Sequence, residues 1–135
     1  MKRLPTDLQI LDKIYSRYYS SFTAYPNQNR IRRTKNFVSI DIKRIASDLK
    51  VDEDIIFGRL YQHLEQKYGY EKDNGSSVSF FVLRIGEELH CVNFPYLASI
   101  LANLRTENRK FRVVTSISIT SLLVSTSAFL VSIFK

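Results

Sequence analysis

Few side chains in this chain have the chemistry of a catalytic site. His63, His90 and Cys91 are its only imidazole and thiol groups, and no nucleophile motif, glycine-rich phosphate loop or metal-ligand spacing surrounds them. His90 and Cys91 are adjacent on a predicted strand, which directs them to opposite faces and excludes a cysteine–histidine pair. A zinc site would need carboxylates to complete its ligand set. We therefore predict a protein that is not an enzyme and has no catalytic residues, metal site or cofactor.

Hydroxyl groups are concentrated in one segment instead. Nine of the 22 residues from Val113 to Phe134 are serine or threonine. At 100° per residue, an arc of about 80° holds a line of small residues along the whole helix. This serine seam consists of Val114, Ser118, Ser121, Ser125, Ala128 and Ser132. Small and hydroxyl residues let helices approach closely and hydrogen-bond across the contact, so the seam predicts a homo-oligomer.

A second, shorter arc holds Ser116, Thr120 and Ser127. With polar groups on two sides, an assembly of several helices could bury one arc in contacts and turn the other inward. Such an assembly would perturb or permeabilise a membrane. Hydroxyl groups can also bond their own backbone carbonyls, so a lone helix is compatible with the same residues.

The segment that carries these hydroxyls is typical of a transmembrane helix. Residues 113–134 contain no charge, glycine or proline, and as a helix they span about 33 Å, the thickness of a bilayer's hydrocarbon core. A basic collar precedes them, made of Arg105, Arg109, Lys110 and Arg112. The alternative is a buried core helix, which rarely needs so long an uncharged run. We expect the span to bind membrane lipid and the collar to contact its headgroups.

The charges around the span predict its orientation. Because the collar lies before the span and only Lys135 follows it, the positive-inside rule places the N-terminus in the cytosol. We expect a single-pass protein of the cell inner membrane, with a cytosolic domain at 1–94, a connecting helix with the collar at 95–112, and the span at 113–134. With only Lys135 beyond the span, a signal would arrive from the cytosol or from within the bilayer.

A second basic segment lies near the start of the chain. Arg30, Arg32, Arg33 and Lys35 occupy four of six consecutive positions. One interpretation is a solvated loop. The others are a phosphate-contacting patch and a further contact with lipid headgroups.

The remaining pattern predicts an α+β domain. Thr6 begins a helix with a capping box, and the apolar stripe of this helix contains Leu8, Leu11, Tyr15, Tyr18 and Phe22. Gly69 ends a later helix, and Gly86 lies between two β-type runs. The expected elements are helices at 6–24, 41–49 and 52–68, strands at 37–40, 78–85 and 89–94, and a nearly continuous helix at 96–134.

The middle of this domain resembles a helix-turn-helix. Ala46 permits close helix crossing, Leu49 and Val51 plug the turn, and Ile55 and Leu60 anchor the second helix. The element order from about residue 6 to residue 94, with a hairpin after the helix pair, resembles the winged-helix family. That resemblance implies a small winged-helix domain whose second helix enters the major groove of DNA.

The start of that second helix departs from the family's usual role. Asp52, Glu53 and Asp54 stand where a DNA reader would meet phosphates, which repel carboxylates. The next exposed candidates in that helix are Phe57, Arg59, Tyr61 and Gln62, and of these four only Arg59 is a strong donor to bases or phosphates. DNA could still be contacted through the basic segment at 30–35, with Lys43 and Arg44.

A cytosolic protein is the partner that we favour over nucleic acid. Aromatic side chains suited to interface anchors lie on two sides of the domain, although a domain this small also needs them for its core. They are Tyr15, Tyr18, Tyr19, Phe22, Tyr25, Phe57 and Tyr61. The resulting hypothesis is a non-enzymatic membrane effector of the kind found among small toxins and bacterial or phage-encoded defence systems. The alternative is a membrane-tethered winged-helix DNA-binding regulator.

Overall fold

The structure, a computed structural model, describes residues 3–25 and 34–135 of the chain. Its described helices and strands follow the predicted α+β order, with short helices, small antiparallel sheets and a long last helix. In chain order they are α1 (Asp7–Thr23), β1 (Phe37–Ser39), α2 (Ile42–Leu49), α3 (Glu53–Gly58), a π-helical segment (Arg59–Leu64), α4 (Glu65–Tyr68), β2 (Tyr70–Glu71), β3 (Ser77–Val78), β4 (Phe81–Ile85), β5 (Glu88–Asn93) and α5 (Phe94–Ile133).

Local capping determines where the helices begin. At α1 the hydroxyl of Thr6 accepts a hydrogen bond from the Gln9 amide at 3.2 Å, and the Gln9 side chain accepts one from the Thr6 amide at 2.9 Å. The predicted capping box is therefore confirmed. Asp41 caps α2 by accepting from the Arg44 amide at 3.1 Å, and Asp52 caps α3 by accepting from the Asp54 amide at 2.9 Å.

The buried face of α1 differs from the predicted stripe. Ile10, Leu11 and Ile14 are fully buried, whereas the stripe was centred on Leu11 and the tyrosines. The tyrosine hydroxyls keep their rings at the border of the core, since a buried hydroxyl needs a partner. The Tyr18 hydroxyl finds one by accepting from the Asp41 amide at 2.7 Å.

The predicted helix at 52–68 is one helical stretch with a π-helical middle. Ile56, Leu60 and Leu64 repeat every four residues and are fully buried. A π-helix has more residues per turn than an α-helix, and such segments are often found at functional sites. The stretch ends at Gly69, as predicted. A Cβ at Gly69 would lie 2.7 Å from the backbone oxygen of Glu65, so a glycine fits this close approach.

The main sheet has the strand order β1-β5-β4, with β5 antiparallel to both neighbours. Its register places Val92 opposite Val38 on one side and opposite Phe81 on the other. The hairpin turn between β4 and β5 is formed by Gly86 and Glu87, and Gly86 has a φ of 63°.

The predicted strand at 78–85 is interrupted. Ser77–Val78 pairs with Tyr70–Glu71 in a separate two-stranded sheet, and only Phe81–Ile85 pairs with β5. The cause is a side chain: a carboxylate oxygen of Glu65 accepts from the amides of Phe80 and Phe81 at 2.7 and 2.6 Å. This carboxylate takes the backbone donors that a continuous strand would offer to a neighbour.

Residues up to Leu101 form one compact unit, and Ala102–Lys135 form a second. The first turns of α5 belong to the first unit, where Leu97, Ile100 and Leu101 are buried on one side of the helix. Leu104 is half-buried. The helix continues without interruption to Ile133, close to the predicted end.

Candidate functional site

The apolar part of α5 is exposed along its whole length. Every residue from 113 to 134 is exposed, and large side chains such as Leu122 and Phe129 expose 68% and 66% of their surface. A core helix would be covered by other elements, whereas none of this stretch is buried. The helix is long and apolar enough to cross a membrane.

Most hydroxyls of this stretch bond within their own helix. Ser116, Ser118, Thr120, Ser125, Thr126 and Ser127 each donate to the carbonyl four residues earlier at 2.9 Å. All three hydroxyls of the shorter arc are in this group. In the described part of the chain, Thr115, Ser121 and Ser132 make no such bond. Two of these three belong to the serine seam, so the seam retains donors for a neighbouring helix.

The predicted basic residues fall in two places. Arg105, Arg109, Lys110 and Arg112 are all exposed on α5, immediately before the apolar stretch. Arg30, Arg32 and Arg33 lie outside the described residues. Lys35 is exposed, and its ammonium lies 5.4 Å from the centre of the Phe22 ring, a cation–π distance. Among the predicted basic residues that the structure describes, the four collar residues lie together on one element.

An open groove of about 540 Å³ lies beside the starts of α2 and α3. Its lining combines apolar and acidic side chains, because both helix starts carry carboxylates and β5 runs past them. The lining residues are Ser39, Ile40, Asp41, Ile42, Lys43, Glu53, Asp54, Phe57, Leu89 and His90. Phe57 and Leu89 expose 37% and 44% of their surface, so the groove offers accessible apolar area next to three carboxylates.

His90 lines this groove and also contacts the helical stretch at 53–68. Its Nδ1 lies 3.1 Å from the Tyr61 hydroxyl, and its ring meets Phe57 edge to face at 6.1 Å between centroids. Burial, with smaller contributions from Cys91 and Glu65, raises the pKa of Tyr61 to about 12. The raised pKa keeps the phenol neutral up to a higher pH than that of an exposed tyrosine.

The backbone at His90 is unusual for a strand. Its φ is 55°, in the left-handed region that residues with side chains rarely occupy. Cys91 and Val92 are buried next to each other, which breaks the alternation expected of β5. Asp41, Leu89 and His90 carry no sequence motif that points to a function, and no local pattern predicts the left-handed backbone at His90.

The candidate recognition helix is poorly suited to phosphate. Asp52 is used as a cap, while Glu53 and Asp54 are exposed at the helix start. Arg59, the one strong donor predicted there, bonds Asp7 through its Nε at 2.8 Å. His63 Nε2 lies 3.3 Å from the same carboxylate.

Most of the predicted aromatic anchors are half-buried, and several contact other rings of the first unit. Tyr15 and Phe22 stack on the buried Phe94 ring, with centroids 5.4 and 4.8 Å away. Phe57 and Tyr61 contact each other at 4.6 Å. Tyr19 is 48% exposed and remains accessible.

No group of three or more metal-binding side chains lies together among residues 3–25 and 34–135. Burial, with a smaller contribution from the Glu88 carboxylate, raises the pKa of the Cys91 thiol. Since thiolate is the reactive form, this buried thiol is a weak nucleophile at neutral pH.

Comparisons of the chain with protein-family models, with curated proteins and with solved structures found no match. The functional proposals therefore depend on the residues and geometry described above.

Proposed function

We propose that this chain is a non-enzymatic, single-span membrane protein whose tail self-associates and whose first unit binds a cytosolic protein. The observation that carries the proposal is the exposed, uncharged helix from 113 to 134, placed directly after four cations. Water disfavours so large an apolar surface, and a bilayer covers it without any protein partner.

The orientation follows from the collar. Cations resist transfer across a membrane, so Arg105, Arg109, Lys110 and Arg112 hold their side of the span in the cytosol. The first unit would then face the cytosol, and the span would lie in the inner membrane. Cysteine protection mapping of single-cysteine variants in intact cells tests this topology.

Self-association is supported by the seam's free hydroxyls. Ser121 and Ser132 lie eleven residues apart, about 16 Å along the helix, and each can bond a second copy of the tail. Replacing Ser118, Ser121, Ser125 and Ser132 together by leucine should abolish association in a membrane dimerisation assay. The matched control replaces the shorter arc, Ser116, Thr120 and Ser127, whose hydroxyls are already bonded. Equal loss in both variants would contradict the assignment of the interface to the seam.

The first unit is consistent with a winged-helix organisation. In the main sheet β5 lies between β1 and β4, and β4 and β5 form the hairpin. The helix pair α2 and α3, joined by a short turn, precedes this hairpin. The groove favours a protein over nucleic acid, because Asp41, Glu53 and Asp54 repel phosphates and attract cationic side chains.

We place the chain among membrane-perturbing effectors of the toxin or defence type. The test expresses the full chain, the seam variant and a chain ending at Leu104, and follows growth and membrane potential. Depolarisation by the full chain alone supports the effector. Harmless expression of the full chain at levels where self-association is detected would refute membrane perturbation and leave the anchor role.

The alternative is a membrane-tethered DNA-binding regulator, which the strand order and the helix pair favour. Residues 1–104 would then bind duplex DNA at micromolar or tighter concentration, with steep weakening in salt. Binding of that kind would replace the protein-partner proposal. Its absence would support the partner proposal.

A further inference from the structure

The basic collar is divided between two sides of its helix. Counting about 100° per residue from Arg105, Arg109 lies at about 40° and Arg112 at about −20°. These three arginines form one face about 60° wide, which we call the arginine face. Lys110 lies at about 140° and Glu107, the collar's acid, at about 200°. The other side of the helix therefore carries one cation and one anion that compensate each other.

The arginine face continues into the apolar stretch. Ser116, Thr120 and Ser127 lie at about 20°, 60° and 40° on the same count, so the shorter hydroxyl arc extends the arginine face. The serine seam occupies about 140° to 220°, on the opposite side. Each hydroxyl of the shorter arc bonds its own helix, whereas Ser121 and Ser132 of the seam do not. The two arcs therefore differ in their remaining capacity for hydrogen bonds.

This arrangement limits the possible assemblies. In a ring of parallel helices, one side of each helix faces the ring centre. The sides that contact the two neighbours lie less than 90° from that side, measured around the helix axis. The seam and the shorter arc are centred about 140° apart, so a parallel ring cannot bury one arc in contacts and turn the other inward, as the sequence analysis had allowed. In a pair of helices packed through their seams, the seam forms the contact and no lumen is needed. The arginine faces are then turned outward.

We propose that the arginine face binds the phosphate groups of anionic phospholipids at the cytosolic surface, and that it stays accessible when two tails pair through the seam. This inference rests on the proposed membrane function. From Arg112 to Arg105 the face extends about 10 Å beyond the apolar stretch, comparable to the thickness of a headgroup layer together with the reach of an arginine. Guanidinium groups pair with phosphate oxygens through two hydrogen bonds, and their stems can lie along the acyl chains.

The test uses a single tryptophan in the full chain. The sequence contains no tryptophan, so one introduced residue gives the whole signal. Ile119 is exposed and lies at about −40°, next to the arginine face in angle around the helix. The I119W chain is reconstituted into vesicles of phosphatidylcholine and phosphatidylglycerol in which one of the two lipids is brominated. Quenching then gives the relative occupancy of the two lipids beside the face.

Each cation at a membrane surface changes lipid binding about fivefold. We expect a preference for phosphatidylglycerol that falls about fivefold in R109Q and vanishes in R105Q/R109Q/R112Q. The matched control is K110Q, which removes one adjacent charge from the other side, where Glu107 compensates it, and should change the preference less than twofold. Self-association should be unchanged in all three variants.

The outcomes separate this inference from the proposed function. Equal quenching by both brominated lipids in the parent, or equal effects of R109Q and K110Q, would overturn the arginine face as a lipid site. Loss of the preference on adding inorganic phosphate would assign the face to free anions, and loss on adding duplex DNA would assign it to nucleic acid; each overturns the inference. Quenching by neither lipid would contradict the span itself.

Discussion

The carboxylate of Glu65 gives the sharpest stability test of the first unit. One of its oxygens accepts from the amides of Phe80 and Phe81 at 2.7 and 2.6 Å, and both phenylalanines are buried. We predict that E65A leaves the amides of these two buried residues without the acceptor that they have in the structure. A hydrogen bond to a charged group contributes about 1.5–3 kcal/mol. Losing both bonds at this half-buried position should cost about 3 kcal/mol of unfolding free energy.

The conservative variant separates the hydrogen bonds from the charge. In E65Q the amide oxygen can still accept both bonds, so the loss should be about 1 kcal/mol. Q66A, at the next and exposed position, is the matched control and should lie within about 0.5 kcal/mol of the parent. For a unit of about 100 residues, 3 kcal/mol corresponds to a fall in Tm of roughly 12–24 °C.

All eight tyrosines precede residue 104, so near-ultraviolet circular dichroism of the full chain in detergent reports the first unit. Urea titrations of the four proteins give the unfolding free energies. An E65A variant within 0.5 kcal/mol of the parent would refute the Glu65 explanation of the strand break. An E65Q variant as unstable as E65A would show that the charge, and not the two bonds, stabilises the junction.

Two further predictions concern the helical stretch from 53 to 68. Because the pKa of Tyr61 is raised from 10 to about 12, its neutral form stabilises the fold fully below pH 10, and this stabilisation is lost as the pH rises toward 12. Unfolding free energies should therefore fall more steeply between pH 10 and 12 in the parent than in Y61F, and parallel curves would contradict the buried phenol. For the ion pair between Asp7 and Arg59, a double-mutant cycle with D7N and R59Q should give a coupling of about 0.5–1 kcal/mol that shrinks in 1 M salt. A coupling of zero would contradict a stabilising ion pair between Asp7 and Arg59.

The parts of the fold that depend on neighbouring residues were predicted well from the sequence. Thr6, Asp41 and Asp52 begin helices because each side chain bonds an amide two or three residues ahead. The long helix at the end of the chain was equally predictable, since no glycine or proline interrupts it after Pro95. Such signals are local, and tertiary contacts did not override them.

The features that were not predicted depend on distant contacts. Glu65 interrupts the expected strand at Phe80, fifteen residues away in sequence, and no propensity encodes that encounter. The left-handed backbone at His90 is held among partners such as Tyr61, which comes from another element. The acidic groove forms only when the starts of two helices meet β5. The seam and the arginine face, in contrast, lie on one continuous helix and follow from its periodicity alone.

The distribution of charge decides how the basic composition is to be interpreted. The segment at 30–35 contributes +4 and the collar at 105–112 contributes +3, which together equal the net charge of +7. The rest of the chain is neutral overall, and in the first unit Arg17 and Arg59 bond the carboxylates of Asp48 and Asp7. A helix start with three acids and an engaged arginine is a weak attractor for DNA, whereas the collar places three arginines on one face beside an apolar span. We propose that the collar's share of this charge acts at a membrane surface, and neutralising the collar should then affect membrane behaviour before any DNA binding.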